Sequence, residues 1–352
     1  MREEEHMRAT WQTGLLIGLL SGCGGTPMGD GSGSGDLASA SGGAATSSGG
    51  ASSGGDGSGL GGEGPAGGAA AGSGGAGQGT GGAGTGGASS GSSRAGCKRG
   101  VAYGHHSFAD LEALSPGVSF WYNWAFVPDD ALRDGSYLGL DVEYVPMIWG
   151  AGSDREAAMQ DIPDDAQALL GFNEPNFGSQ ADLSAADAAA LWPELEEIAD
   201  SRGLDLVSPA VNFCGGDCQE TDPLEYLDDF LAACEGCRVD ALGIHIYVGC
   251  NPDGENHAQW LINHVETYKD RFTQPLWLTE FACDDADSEE QQLAFLEDAV
   301  EYLEAEPRIA RYAWFAGRAD NVPHVDLLGA DGALTALGQR YVELEQPAEC
   351  QR

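Results

Sequence analysis

Residues 167–176 read Gln167-Ala168-Leu169-Leu170-Gly171-Phe172-Asn173-Glu174-Pro175-Asn176. The apolar run Ala168–Leu170 is short and bounded by a glycine, which is the pattern of a strand buried on both faces. It delivers a polar cluster, Asn173, Glu174 and Asn176, with Pro175 stiffening the turn. A second stretch has the same form: Pro275–Phe281, PLWLTEF, is an apolar strand that brings Glu280 to its end. Two carboxyls at the ends of two buried strands point to a pair of acids facing one cleft.

Working outward, apolar runs recur along Cys97–Arg352 with helical patterns between them. Strands are expected near Arg99–Tyr103, Val118–Trp124, Val142–Trp149, Ala168–Asn173, Leu206–Val211, Val239–Tyr247, Leu276–Phe281 and Ile309–Phe315. The clearer helices are expected over Ala185–Ser201, Pro223–Ala233, Ala258–Asp270, Glu289–Glu304 and Leu334–Leu344. In the first, Ala188, Leu191, Leu195 and Ile198 keep the three-to-four spacing of a one-sided helix, and Ser184 supplies an N-cap. Asp222-Pro223 is a cap followed by proline at the first helical position. Eight strand–crossover units in a segment of this size predict an α/β fold, a (β/α)₈ TIM barrel, for which about 250 residues is typical. Strands apolar on both faces suit a parallel sheet. A doubly wound open sheet is the alternative, but no glycine-rich phosphate turn follows the first strand. In a barrel the active site lies at the C-terminal ends of the strands. Those ends carry polar and aromatic groups: Tyr103–His106, Tyr122–Trp124, Trp149, Asn173-Glu174, Asn212, His245, Tyr247, Glu280 and Trp314. Flat aromatic faces beside hydrogen-bonding side chains, with two carboxyls, are the equipment for cleaving a glycosidic bond.

The rest of the chain is of another kind. Residues 1–23 read as an export signal: Arg8, the apolar run Leu15–Leu20, then Ser21-Gly22-Cys23. Leu20–Cys23 has the form of a bacterial lipobox, and the acidic Glu3–Glu5 favours Met7 as the true start. A lipid on Cys23 would anchor the protein to a membrane without spanning it; an ordinary cleaved signal is the alternative. Gly24–Gly96 is almost wholly small and polar, so it is expected to be a disordered tether with a reach of roughly 45–50 Å. The formal net charge is −40, from 16 basic and 56 acidic residues. This argues against nucleic acid and against adsorption to anionic lipid, and it is compatible with a neutral ligand. Eight of the nine cysteines lie from Cys97 onward, an even number that favours disulfides in an exported protein. Cys97 and Cys350 bracket the domain, so a bridge between them would tie its ends. Cys250 and Cys283 follow neighbouring strands at the catalytic face and are expected to pair. For Cys214, Cys218, Cys234 and Cys237, local pairs are expected rather than a zinc site. No His-x-x-x-His or related spacing calls for a metal, no cofactor is expected, and a monomer is.

Eight stretches taken together resemble glycoside hydrolase family 128, within the large clan of retaining barrel glycosidases. They are KRGVAY at Lys98–Tyr103, LSPGVSFWYNW at Leu114–Trp124, VPMIWG at Val145–Gly150, LLGFNEPN at Leu169–Asn176, SPAVNFC at Ser208–Cys214, VDALGIHIY at Val239–Tyr247, WLTEFAC at Trp277–Cys283 and RYAWFAGR at Arg311–Arg318. The resemblance spans nearly the whole domain and leaves out the lipobox and tether. It implies a barrel that cleaves β-1,3-glucan with retention. It also implies that Glu174, after Asn173 at the end of the fourth strand, is the acid/base, and that Glu280, ending the seventh, is the nucleophile.

On this reading Glu280 attacks the anomeric carbon. Glu174 first protonates the leaving oxygen and then deprotonates water; an ionised Glu280 nearby helps it keep its proton. Asn173 is placed to bond the sugar 2-hydroxyl. Tyr247 is expected to orient Glu280, with His245 on the same side of its strand. Trp124, Trp149 and Trp314 are candidate stacking platforms, Trp314 because a strand-eight Trp beneath the sugar is typical of the clan. Asn123, Asn212 and His105 are further candidate contacts. Trp121, Trp192 and Trp277 are expected in the core. The competing readings are a module that holds glucan without turnover and a glycosidase for another β-glycan.

Overall fold

The computed structural model describes residues 96–251 and 253–351. The expected export signal and lipid on Cys23, and all but the last residue of the expected tether, lie outside them.

Eight parallel strands alternate with helices. The strands are β1 (Arg99–Ala102), β2 (Phe120–Tyr122), β3 (Glu143–Tyr144), β4 (Ala168–Leu170), β5 (Asp205–Val207), β6 (Leu242–Val248), β7 (Leu276–Cys283) and β8 (Ile309–Phe315). The helices are α1 (Phe108–Leu114), α2 (Arg155–Asp161), α3 (Ala185–Arg202), α4 (Pro223–Ala233), α5 (Gln259–Arg271), α6 (Glu289–Ala305) and α7 (Ala336–Glu343). A 3₁₀ turn, Ser136–Leu140, stands where a helix would join β2 to β3. Strands β3-β2-β1-β8-β7-β6 are continuous, as are β4-β5. The two seams close through single bridges, Met147 with Leu170 on one side and Val207 with Ala241 and Val211 with Ile244 on the other. The ring is therefore complete, which removes the exposed edges that an open sheet would leave.

The helix starts follow their local chemistry. Ser184 caps α3 by accepting from the Asp187 N–H, and Asp222 caps α4 with Pro223 behind it. Ser107 and Asp110 form a reciprocal capping box on α1. Helix α3 ends at Gly203, whose φ of 70° is the left-handed conformation that glycine adopts without a Cβ clash.

Side chains alternate between the barrel interior and the helix layer. Arg311 lies over the rings of Phe120 and Trp277 and forms an ion pair with Glu143 at 2.7 Å, plugging the lower barrel. Trp121 and Trp192 are fully buried, as expected of core residues. Trp314 lies one step out of phase with Arg311. It is buried against Phe281, Phe295 of α6 and Tyr341 of α7, and its Nε1 donates to the Val325 carbonyl at 2.9 Å. The expectation that Trp314 forms a sugar platform is therefore corrected: strand alternation turns it to the helix layer, and the β8 side chain that reaches the cleft is Phe315.

Four disulfides join Cys97 to Cys350, Cys214 to Cys218, Cys234 to Cys237 and Cys250 to Cys283. The first closes a loop with a sequence separation of 253, and chain-entropy arguments give such a crosslink an upper bound of about 5 kcal/mol. Replacing both cysteines by serine is expected to lower the unfolding free energy by about 2–4 kcal/mol, measured as a shift in denaturant midpoint. An unchanged midpoint would contradict this.

Candidate active site

The strand ends converge on two carboxyls. Glu174 follows β4 in a tight turn with φ of 39°, a left-handed conformation that costs a non-glycine residue energy. Neighbouring bonds hold it there. Its N–H donates to Ala210 O at 2.8 Å, its carbonyl accepts from Phe177 N at 2.9 Å, and the Asn173 N–H donates to Trp149 O at 2.9 Å. Asn176 fastens the same turn to the loop after β5, donating to the carbonyls of Asn212 and Glu220 at 2.7 and 3.1 Å. Strain over-determined in this way is characteristic of functional positions.

Glu280 reaches the interior by a different device. In the pairing of β6 with β7, Ile244 stands opposite Leu278 and His245 opposite Glu280, so Thr279 is an extra residue. This bulge reverses the alternation. Trp277 and Glu280 both face inward, whereas strict alternation would have put them on opposite faces.

The Glu280 carboxylate is surrounded by donors. Tyr122 Oη and Trp124 Nε1 donate to Oε1 at 2.9 and 2.8 Å, and Tyr247 Oη donates to Oε2 at 2.6 Å. His245 Nδ1 lies 3.0 Å from Glu174 Oε1 and 3.4 Å from Glu280 Oε2, bridging the two acids. Asn212 Nδ2 adds a long contact of 3.5 Å to Glu174 Oε1. A carboxylate oxygen of each glutamate and a ring nitrogen of His245 lie within 4.8 Å of one another. Glu174 and Glu280 are only 2% and 3% exposed.

Burial and bonding set the charges. Burial pushes the Glu280 carboxyl above its ordinary value; His245 opposes this, Glu174 adds to it, and the bonds from Tyr247 and Trp124 oppose it. Burial disfavours a charge on His245, but Glu280 and Glu174 outweigh it and hold the imidazole above its ordinary value. Burial and Glu280 together drive the phenols of Tyr122 and Tyr247 far upward, so both remain donors.

A cleft of about 750 Å³ opens above the pair, walled by loops after β8 and β1 to β4. Trp124, Trp149, His105, Asn173, Gln180 and Phe315 line it. The Asn173 amide donates to Gln180 Oε1 at 3.3 Å, while its Oδ1 has no partner among the described residues. Asn123 also borders the cleft, but its side chain is spent on the protein. Nδ2 donates to Val127 O and Asp129 Oδ1, and Oδ1 accepts from Ala125 N and Tyr144 Oη. Asn123 is thus a loop brace rather than a sugar contact, and Asn212 lies beside Glu174 rather than on the cleft wall. His105 is exposed on the rim, its N–H tied to Asp129.

Several side chains here were given no individual role from sequence. Tyr122 shares the inward side of β2 with Phe120 and Trp124, a two-residue step that was available as a signal. Phe315 likewise shares the phase of Arg311. Arg318 grips Asp110 of α1 with two bonds of 3.0 and 2.7 Å and fixes the cleft wall after β8. Burial alone would raise the Asp110 carboxyl, but Arg318 and the N–H groups of Gly332 and Ser107 bring it down to about 2. That pair spans residues far apart in the chain and left no local trace.

Removing one donor tests the electrostatics. Tyr247→Phe deletes a bond that favours the charged form of Glu280, so the Glu280 carboxyl rises further. The acid limb of the pH profile of kcat/KM is expected above the ordinary glutamate range in the parent and higher again in Tyr247→Phe. We expect kcat to fall by about 10- to 100-fold. An acid limb that stayed put would show that the bond does not act on Glu280.

A (β/α)₈ barrel presenting two buried carboxyls beneath an aromatic-walled cleft at the C-terminal face of its sheet has the architecture of a glycoside hydrolase. Comparison with known proteins gives the family. The family described as "Glycosyl hydrolase catalytic core" matches residues 100–341. A subgroup II endo-β-1,3-glucanase of glycoside hydrolase family 128 from Sorangium cellulosum is 66% identical, with a TM-score of 0.70, covering 72% of this chain and 100% of its own. A subgroup I endo-β-1,3-glucanase of that family from Amycolatopsis mediterranei, crystallised with laminaritriose, is 28% identical with a TM-score of 0.57, covering 70% of this chain and 99% of its own. Alkali-sensitive linkage protein 1 of Schizosaccharomyces pombe is 28% identical over 244 residues, 65% of this chain; the chain spans 41% of that protein's length. The chain belongs to the glycosyl hydrolase catalytic core family and, within it, to glycoside hydrolase family 128.

Proposed function

We propose that this protein is a retaining endo-β-1,3-glucanase. The observation that carries the reading is that one carboxylate oxygen of Glu174 and one of Glu280 lie within 4.8 Å of each other. Retaining enzymes hold their carboxyls about 5–5.5 Å apart, whereas inverting enzymes leave about 6.5–9.5 Å for a water. The substrate class is supported by the two crystallised relatives described as endo-β-1,3-glucanases.

Glu280 is the nucleophile. Its oxygens accept from Tyr122, Trp124 and Tyr247, and these bonds orient it for attack on the anomeric carbon. Glu174 gives its proton to the leaving glycosidic oxygen as that bond breaks. Water then enters, Glu174 takes its proton, and the hydroxide oxygen displaces Glu280 from the anomeric carbon. His245 lies between both groups and balances their charge as the proton on Glu174 leaves and returns. Asn173 Oδ1 accepts from the sugar 2-hydroxyl. Trp124, Trp149 and Phe315 present apolar faces to the pyranose rings. The lipid on Cys23 and the 24–96 tether would hold a monomeric catalytic domain outside the membrane within reach of an insoluble polymer.

The test is reducing-end release by the full chain from a linear β-1,3-glucan, with the first-formed anomer followed by proton NMR. Mid-chain fragments bearing β-anomers support the reading. The α-anomer first would mean inversion. Cleavage of β-1,4- but not β-1,3-glucan would overturn the substrate class.

A further inference from the structure

The cleft accounts for only one flank of the catalytic pair. Its walls come from β7, β8 and β1 to β4; the loops after β5 and β6 contribute nothing to it. The loop after β5, with the start of α4, and helix α5, which follows β6, enclose a second groove of about 590 Å³, lined by Phe213, Thr221, Trp260, Asn263, His264 and Thr267 among others. Both of its walls begin next to catalytic machinery. Phe213 directly follows Asn212, whose amide faces Glu174. The Trp260 ring packs over Gly249, where a Cβ would meet it at 2.4 Å, and Gly249 lies two residues beyond Tyr247. At about 3.3 Å rise per residue the ring is within a few ångströms of the end of β6.

The groove has the chemistry of a sugar site. Trp260 is 40% exposed, one of three large apolar side chains so exposed among the described residues. Phe213 stacks edge-on against His264 at 4.8 Å. Burial keeps that imidazole neutral, with its value lowered to about 4. The hydroxyls of Thr221 and Thr267 and the Asn263 amide stand beside these apolar faces. A pyranose presents the complement, an apolar C–H face and a ring of hydroxyls. The groove is also tied to the acid. The loop after β5 is closed by the Cys214–Cys218 disulfide. It is bonded to the loop carrying Glu174 through Gly178 N to Asp217 O and Gln219 N to Asn176 O, each 2.8 Å.

We propose that this groove docks the leaving-group side of the β-1,3-glucan chain at a position distal to the scissile bond. The proposal rests on the role given to Glu174 above. The acid protonates the leaving oxygen, so the departing part of the polymer lies on the Glu174 flank and runs out over the ends of β5 and β6. A site there holds long chains and leaves short substrates untouched.

The test compares two substrates on the full chain. On a soluble linear β-1,3-glucan, Trp260→Ala is expected to raise KM by about 5- to 30-fold, equivalent to about 1–2 kcal/mol, with kcat within about twofold. Trp260→Phe, which keeps a flat ring, should recover most of the loss. On a nitrophenyl β-laminaribioside, whose leaving group is too small to reach the groove, all variants should match the parent. A polymer KM within twofold of the parent would overturn the proposal, as would an equal loss on the aryl glycoside. If Trp260→Ala loses its melting transition, Asn263→Ala and Thr267→Ala carry the same comparison, since neither touches a catalytic side chain. A parent inactive on β-1,3-glucan overturns the function above instead, and the ratio on the β-glycan that it does cleave still decides whether the groove docks polymer.

Discussion

Glu280→Ala is expected to reduce glucan hydrolysis by about 10⁴- to 10⁶-fold, the scale seen when a nucleophile is removed from a working constellation. The structure explains why no neighbour substitutes for it. Glu174 is held on the β4 loop by His245 at 3.0 Å, and the three donors aimed at Glu280 are two phenols and an indole. None of these is a nucleophile at neutral pH, because burial, with Glu174 nearby, keeps the phenols protonated even when Glu280 is gone. The variant also leaves Trp124 and Tyr247 without their acceptor, while Tyr122 keeps the Thr279 carbonyl at 3.1 Å, so some loss of stability is expected; Glu280→Gln, which retains an acceptor oxygen, separates that loss from the chemical one. A sharper readout is rescue by azide on an aryl β-glucoside with a good leaving group. Azide fills the space of the lost carboxylate and attacks the anomeric carbon from the same face, so Glu280→Ala should produce the α-glycosyl azide. No rescue in a folded variant, or residual activity near the parent's, would remove Glu280 from the nucleophile's role.

Much of this fold was legible because barrel strands buried on both faces are bare apolar runs separated by polar turns. Each of the eight strands lies within or overlaps its expected segment. The expected bounds ran long at Val118–Trp124 and Val142–Trp149, where the ladder is only Phe120–Tyr122 and Glu143–Tyr144. Past Tyr144 the run Val145–Ile148 stays apolar and is joined to its neighbours only by single bonds, so composition does not mark the end of the ladder. Helices α1 and α2 have seven residues each, too short for a hydrophobic period to show. The glutamates and Tyr247 were readable as strand-end groups. Trp314 misled because a strand end fixes height along the barrel but not facing, and facing depends on register. The bulge at Thr279 makes the same point from the other side: nothing in LWLTEF announces that alternation breaks before Glu280. His245 bridging both acids, and Tyr122 donating to one, depend on distances between strands that sequence spacing does not contain.

Glu174→Ala should give a loss that depends on the leaving group. On β-1,3-glucan the departing sugar oxygen is a poor leaving group and needs the proton, so kcat/KM is expected to fall by about 10²- to 10⁴-fold. On a dinitrophenyl β-glucoside the phenolate leaves without a proton, and formation of the glycosyl intermediate should be within about tenfold of the parent. Its breakdown still needs a base for water, so the intermediate should accumulate and show as a burst. Azide bypasses that base. It enters the space vacated by Glu174, on the face opposite Glu280, and should yield the β-glycosyl azide, opposite to the product expected with Glu280→Ala. The pair of stereochemical outcomes assigns the two carboxyls independently of how far each rate falls. The geometry also predicts where this contrast would be blurred. His245 Nδ1 sits 3.0 Å from Glu174 and 3.4 Å from Glu280, so removing Glu174 leaves the imidazole paired with Glu280 alone. That draws His245 toward the nucleophile and makes Glu280 a better leaving group from the intermediate but a weaker attacker. A double variant, Glu174→Ala with His245→Asn, should therefore change the burst amplitude without altering the β-azide product. If the product changed anomer, Glu174 and Glu280 would have exchanged roles, and the assignment would be reversed.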